Sequence, residues 1–309
     1  MDKKIILSMA TMPSRKKRLE ENLPAILNQS YHFDLLILNV NSPDLTDDDM
    51  EWYYNLAKQD ERIIINKAES KWKSCNKLLP TLQKYPDDVI ITIDDDIFYP
   101  VDSIRYLVEE YQKHPDCIIA HEIHPLKIEK DGFITYHIAV DIKLLQKEWG
   151  KYLSNCTLFP PHVFDNTDLF DYDKMMLCTN GVHDELWFWI MSTINKVQCI
   201  GLNYVFSFGL EMLTPWSENE YKLTDFNDTP DKINVYMTKI NEIYGEQLHN
   251  AFKSKPVVFN LHKDNVYTFI LSCDSIFNVY NYGININPDN LTKYWKHLLF
   301  TKIRDYYGE

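Results

Sequence analysis

Several hallmark patterns are missing from this 309-residue sequence. No G-x-G-x-x-G follows the first apolar strand, no G-x-x-x-x-G-K-[ST] occurs anywhere, and no G-x-S-x-G is present. A dinucleotide-dependent dehydrogenase, a P-loop NTPase and an α/β-hydrolase are disfavoured accordingly, because each uses those glycines to bring backbone close to phosphate or to expose a nucleophile. The six cysteines, Cys75, Cys117, Cys156, Cys178, Cys199 and Cys273, include no C-x-x-C and no spacing that suggests zinc or a disulfide framework. They are expected to be free thiols in a reducing compartment. No apolar run approaches the roughly 20 residues needed to span a bilayer, and the N-terminus has no signal-peptide pattern, so a cytoplasmic protein is expected. Positive charge is also in short supply. A net charge of −13 argues against a general nucleic-acid binder, whose affinity comes from basic groups that release counterions from phosphates. It is compatible with a nucleotide held through a metal, or simply with an acidic surface.

What is present is a folded, aromatic-rich chain with 20 Tyr, 15 Phe and 7 Trp in periodic segments. Its first hundred residues alternate β and α signals: a strand from Lys4 to Met9, a helix from Ser14 (as N-cap) to Gln29, and a strand from Leu35 to Val40. A helix capped by Thr46, with Asp47, Asp48 and Asp49 in its first turn, comes next. A strand from Arg62 to Asn66, a helix from Ser74 to Lys84 and the wholly apolar strand Val89–Ile93 complete the series. This pattern predicts an α/β fold with a mainly parallel sheet flanked by helices. Further helices are expected from Pro100 to Lys113, from His183 onward, from Thr229-Pro230 to Ala251, and from Asn287-Pro288 in the last fifty residues.

Asp94-Asp95-Asp96 follows the apolar strand directly, at the carboxyl edge where open α/β sheets bind ligands. Three adjacent carboxylates repel one another unless a cation or good donors compensate them. Hard oxygen ligands suit Mn²⁺ or Mg²⁺; a solvated acidic turn is the structural alternative.

The run from Tyr85 to Pro100, with Ile93-Asp94-Asp95-Asp96 at its centre, resembles the D-x-D region of bacterial GT-A glycosyltransferases related to glycosyltransferase family 2. Ser8-Met9-Ala10-Thr11-Met12-Pro13-Ser14-Arg15 resembles their first strand and nucleotide-contacting loop. Lys77-Leu78-Leu79-Pro80 resembles a lysine-bearing segment before the D-x-D strand, and His183-Asp184-Glu185-Leu186-Trp187 the acidic pair that supplies the base. These pieces fall in family order over residues 4 to 210. The sequence departs from the family where a glycine-rich acceptor loop is replaced by Gly150-Lys151-Tyr152-Leu153-Ser154-Asn155-Cys156.

The resemblance implies a GT-A-like (Rossmann-like) catalytic domain over residues 1–255, with a nucleotide-binding half (1–100) and an acceptor half (101–255); residues 256–309, which have no counterpart in the family, are read as a C-terminal α/β annex. It implies Asp96, assisted by Asp95, as metal ligands, with His262 completing the shell. Asp94 would face the ribose, and Thr11, Arg15 and Asn39 would contact the nucleotide. Lys77 would meet the diphosphate as a point charge; Arg15 and Lys77 as plain surface cations are the alternative. Glu185 would be the base and Asp184 would position a substrate, unless the pair merely suits a helix N-terminus. His121 and His124 do not match a zinc-peptidase pattern and are read as structural. The implied reaction is inverting transfer from a nucleotide-sugar, a UDP-sugar in the first instance, to a glycan or lipid-linked glycan in surface polysaccharide synthesis. A sugar nucleotidyltransferase or a non-catalytic nucleotide-sugar-binding module are the alternatives. The final helix carries Leu291, Trp295, Leu298, Leu299, Ile303 and Tyr306 beside Lys293, Lys296, Lys302 and Arg304, so it can make peripheral membrane contact or pack against protein.

Overall fold

A computed structural model describes residues 3–97, 99, 101–121, 123–128, 134–136, 150–152, 155–202, 230–254 and 258–259. His262 and the expected C-terminal helix lie outside these residues, as does Thr229.

The apolar strands assemble into an eight-stranded sheet. Along the chain they are β1 (Ile5–Thr11), β2 (Leu35–Val40), β3 (Ile63–Lys67), β4 (Val89–Ile93), β5 (Ile118–Ala120), β9 (Cys156–Phe159), β10 (Cys199–Gly201) and β11 (Val258–Phe259). Their order is β11-β10-β5-β9-β4-β1-β2-β3. All pairings are parallel except those of β9, which runs antiparallel between β4 and β5. Strands β6 (Ile123–Ile128), β7 (Ile134–Tyr136) and β8 (Gly150–Tyr152) form a separate three-stranded sheet. The last strand of the main sheet lies beyond residue 255, where the sequence predicts the annex to begin.

Parallel strands buried on both faces must present apolar side chains both ways, and β4 does so. Val89, Ile91 and Ile93 join one core with Leu19, Leu23 and Ile26 of α1 (Lys16–Leu27), Met50, Tyr53 and Leu56 of α2 (Asp47–Ala57), and Ile104 and Leu107 of α4 (Ser103–Lys113). Ile90 faces the opposite core, beside Leu79 of α3 (Leu79–Lys84), Met175 of α5 (Tyr172–Thr179), Trp187 and Phe188 of α6 (Asp184–Ile194), and Ile240 of α7 (Pro230–Ser254). Among the described residues no helix is long and apolar enough to cross a membrane.

Thr46 caps α2 through a reciprocal box with Asp49, as its sequence predicts. Two expected helices begin differently. Ser14 is not an N-cap: Pro13–Arg15 forms a 3-10 turn, α1 starts at Lys16, and no side chain caps it. The expected helix over Ser74–Lys84 is instead a 3-10 segment, Ser70–Lys77, followed by α3. Lys73 breaks it with φ 48° and ψ −125°, and Pro80, tolerated only in a first turn, marks where the helix restarts.

His121, buried after β5, bonds through Nε2 to the Ser103 carbonyl at 2.8 Å and so ties the sheet to α4. Burial pushes its pKa down to about 3. A group whose folded pKa lies below its unfolded value contributes stability above the unfolded pKa, near 6.5, and loses it as pH falls toward the folded one. His121→Asn should therefore flatten the acid limb of the stability curve between about pH 6 and pH 3 by up to ~1.4 kcal/mol per pH unit relative to wild type. Urea titrations across that range measure the difference in slope.

Candidate active site

The site is built where β1 and β4 end side by side. Their register pairs Met9 with Ile93, so the segments after each strand, Thr11–Arg15 and Asp94–Asp96, emerge as neighbours. Thr11 Oγ1 donates to Asp95 Oδ2 at 2.8 Å, and Arg15 Nη1 reaches Asp95 Oδ1 at 3.2 Å and Asp96 Oδ2 at 2.7 Å. Both Asp95 oxygens thus have partners, and its side chain is only 9% exposed. Asp96 is more open, at 28%. Burial disfavours the Arg15 charge, yet Asp95 and Asp96 outweigh it and hold the guanidinium above its ordinary range.

Lys77, at the end of the 3-10 segment, reaches the third acid. Its Nζ bonds Asp94 Oδ1 and lies 3.2 Å from Asp184 Oδ2, the first residue of α6. One ammonium therefore joins two carboxylates that are far apart in sequence. The Lys77 backbone is pinned in turn: its carbonyl accepts from Ser8 Oγ at 2.6 Å, and Ser8 shares a buried polar cluster with Thr81 and Asn39. Asn39 directs its amide to Ser8 and Thr81 and accepts from Asn66 at 2.7 Å. It is fully buried within the sheet and bonds to Ser8, Thr81 and Asn66, whereas Thr11 and Arg15 bond to Asp95 and Asp96. The backbone amide of Asp94 donates to Tyr99 Oη at 2.8 Å, and that hydroxyl donates to the Asn155 carbonyl.

Electrostatics follow from burial. It pushes the Asp94 carboxyl up to about 6 although Lys77 opposes the shift, and the Asp95 carboxyl up to about 7 although Arg15 does the same. Lys77 is held protonated well above its ordinary range, because Asp184 and Asp94 outweigh its own desolvation. On α6, Asp184 is 4% exposed and turned to Lys77. Glu185 has a side chain 23% exposed, with Oε1 3.3 Å from His183 Nδ1. Trp187 and Trp189 are both core residues, the former donating to the Leu169 carbonyl. Ser8, Thr81, Tyr99 and His183 were not singled out from sequence; a polar residue at an inward position of an apolar strand was the available signal for Ser8.

Removing the Lys77 charge leaves the buried Asp184 and the part-buried Asp94 without their shared cation. Lys77→Met should cost roughly 3–5 kcal/mol at neutral pH, measured by chemical denaturation. Adding Asp184→Asn to that variant should recover part of the loss, since one of the stranded charges is gone.

Residues 11–159 match the family model for Glycosyl transferase family 2. No curated protein matches the sequence. Among solved structures, a mannosyltransferase from Pyrobaculum calidifontis, PcManGT, in complex with GDP-Man and Mn²⁺, matches with a TM-score of 0.51 at 12% identity, over 99% of this chain and 86% of that one. TarS residues 1–349 from S. aureus matches with a TM-score of 0.41 at 10% identity, over 87% and 80%. A 4-diphosphocytidyl-2C-methyl-D-erythritol synthase gives 0.39 at 12% identity, over 77% and 100%. The D-x-D segment, the strand before it and the Thr11–Arg15 loop all lie inside the matched region, so this part of the chain resembles glycosyl transferase family 2, on a fold like that of the mannosyltransferase.

Proposed function

We propose that the protein transfers a sugar from a nucleoside-diphosphate sugar to a hydroxyl of a glycan or lipid-linked glycan, with a divalent cation and inversion at the anomeric carbon. The observation that carries this reading is the Lys77 bridge, which draws the D-x-D segment and the acidic pair of α6 into one site. A donor diphosphate near Asp96 and an acceptor hydroxyl near Glu185 are what such a site would need.

The donor set fits a hard divalent cation. Among the described residues, Asp94, Asp95, Asp96, Asp184 and Glu185 share the site with two linking cations, Arg15 and Lys77, and burial already resists ionisation of Asp94 and Asp95. Added positive charge would offset that surplus. Among the described residues no three acid, His or Cys side chains are grouped as a metal site, but Mg²⁺ needs only one or two carboxylates besides substrate phosphates and waters. Asp96, the more open acid beside Arg15, is the proposed ligand, assisted by Asp95; His262 is the proposed third ligand from sequence alone. When bound, the cation would neutralise charge developing on the leaving diphosphate. Arg15 is placed to share that task, and Thr11 holds Asp95 beside it.

Of the acidic pair, Asp184 is engaged with Lys77, whereas Glu185 keeps a partly exposed carboxylate. That division favours Glu185 as the base that takes the proton from the acceptor hydroxyl as it attacks opposite the diphosphate. Asp184 then fixes the start of α6. A UDP-sugar is the first donor to test and a GDP-sugar the second, since the mannosyltransferase of matching fold was solved with GDP-Man. Surface polysaccharide synthesis in the cytoplasm, with membrane contact through the C-terminal helix, is the proposed setting.

Asp96→Asn should abolish turnover and the Mn²⁺-dependent thermal shift seen with donor, with the metal-free melting temperature near that of wild type. Full activity of that variant, or of wild type in excess chelator, would sink the metal assignment. Glu185→Gln should lower turnover at least about a hundredfold with donor affinity preserved. NMR of the product should show the anomer opposite to the donor. Release of pyrophosphate in place of nucleoside diphosphate would instead identify a nucleotidyltransferase.

A further inference from the structure

His183 takes no part in the chemistry derived above, although it stands directly before the acidic pair. It occupies the N-cap position of α6 yet makes no capping hydrogen bond through its side chain. Its ring is 4% exposed and packs edge-on against Tyr236 of α7, with centroids 5.1 Å apart. Nε2 is buried and has no hydrogen-bond partner among the described residues. Nδ1 faces Glu185 Oε1 at 3.3 Å. A polar ring enclosed in this way, with one nitrogen aimed at a carboxylate, is held there by packing and not by capping.

We infer that His183 is a positioning residue for Glu185, donating its Nδ1–H to Oε1 so that the carboxylate stays ionised and its orientation is fixed toward the acceptor. The inference rests on the proposed role of Glu185 as base. An ionised carboxylate only accepts hydrogen bonds, so the proton of a neutral His183 must sit on Nδ1. The buried Nε2 is then a bare lone pair, which needs no acceptor. Hydrogen bonding to the charged form of an acid favours that form, so the contact keeps Glu185 deprotonated at lower pH than it would otherwise be. Among the described residues, the other titratable and charged groups facing the pair are Lys77 and Cys75 from the 3-10 segment, both coupled to Glu185 through space, with Asp184 on α6 and Tyr236 on α7. Tyr236 packs against the His183 ring, which limits its rotation.

Two measurements on the full chain test the idea. Long-range ¹H–¹⁵N NMR of histidine-labelled protein, with the His183 signals assigned by their loss in His183→Asn, should show the Nδ1–H tautomer in wild type and its loss in Glu185→Ala. An Nε2–H tautomer in wild type, or one indifferent to Glu185, overturns the proposal whatever the substrate is. Turnover is then followed with UDP-glucose, UDP-N-acetylglucosamine and GDP-mannose in MnCl₂, with water as acceptor. His183→Leu should lower kcat roughly ten- to a hundredfold, the range for groups that orient a functional partner, with donor KM within about twofold. Its acidic pH limb should move up by ~0.5–1 unit as the carboxylate loses a donor. His183→Asn, whose amide nitrogen can stand near the place of Nδ1, should restore most of kcat and return the limb. Equal losses in both variants, or an unmoved limb, would reduce His183 to a packing residue. Failure of wild type to turn over any donor would count against the proposed reaction, and the tautomer would still decide the pairing.

Discussion

The Lys77 ammonium, seated between Asp94 and Asp184, is the contact on which the site depends. Each acid belongs to a different part of the fold: Asp94 ends the central strand β4, and Asp184 opens α6 on the other side of the sheet edge. Buried ion pairs gain little net stability over apolar packing, but losing one partner is costly, because the other charge is stranded. A single cation between two acids makes this asymmetry sharper. Neither acid can drift from Lys77 without exposing the other, so the distance between the D-x-D segment and α6 is held by charge as well as by packing.

The lysine can hold that position only because its own backbone is fixed. Ser8 of β1 accepts from Asn39 of β2 and donates to the Lys77 carbonyl, so two adjacent parallel strands together hold the 3-10 segment. Unpaired polar groups in such a place would cost more than their hydrogen bonds return. They are tolerated since Ser8, Asn39, Thr81 and Asn66 satisfy one another. Lys73 has a backbone conformation seldom adopted by residues with a Cβ. Its ammonium donates to the Asn180 carbonyl at 2.8 Å, and Ser74 Oγ donates to the Gly181 carbonyl at 3.3 Å. The strained turn thus docks on the loop that leads into His183 and Asp184, a second tie between the same two regions.

Much of this was legible in the sequence where local chemistry and tertiary demand agree. Val89–Ile93 could be only a buried strand, and Thr46 with Asp49 wrote its own helix start. Ser14 looked like a cap by residue type alone, but Pro13 sets a 3-10 turn and Arg15 is drawn to Asp95 and Asp96, which delays the helix to Lys16. Ser74–Lys84 carried a helical pattern that breaks at Leu78, where the 3-10 segment ends and Pro80 opens α3 in its first turn. The antiparallel entry of β9 between β4 and β5 left no local trace, because Cys156–Phe159 is apolar throughout and would suit either direction. Asn39 was visible as a polar residue in an apolar strand, a signal that serves an internal network as well as a ligand contact. Only its partners Ser8, Thr81 and Asn66 distinguish the two.

The same competition separates the members of the acidic pair. Adjacent residues in the first turn of a helix project about 100° apart, so one carboxylate can meet Lys77 while its neighbour points elsewhere. Both benefit from the positive end of the α6 dipole, and neither identity nor charge distinguishes them. Lys77 does: by claiming Asp184 it takes that acid out of solvent and leaves the outward direction to Glu185. The choice between the two carboxylates is therefore made some hundred residues earlier in the chain, by a lysine whose place is set by a serine on the first strand.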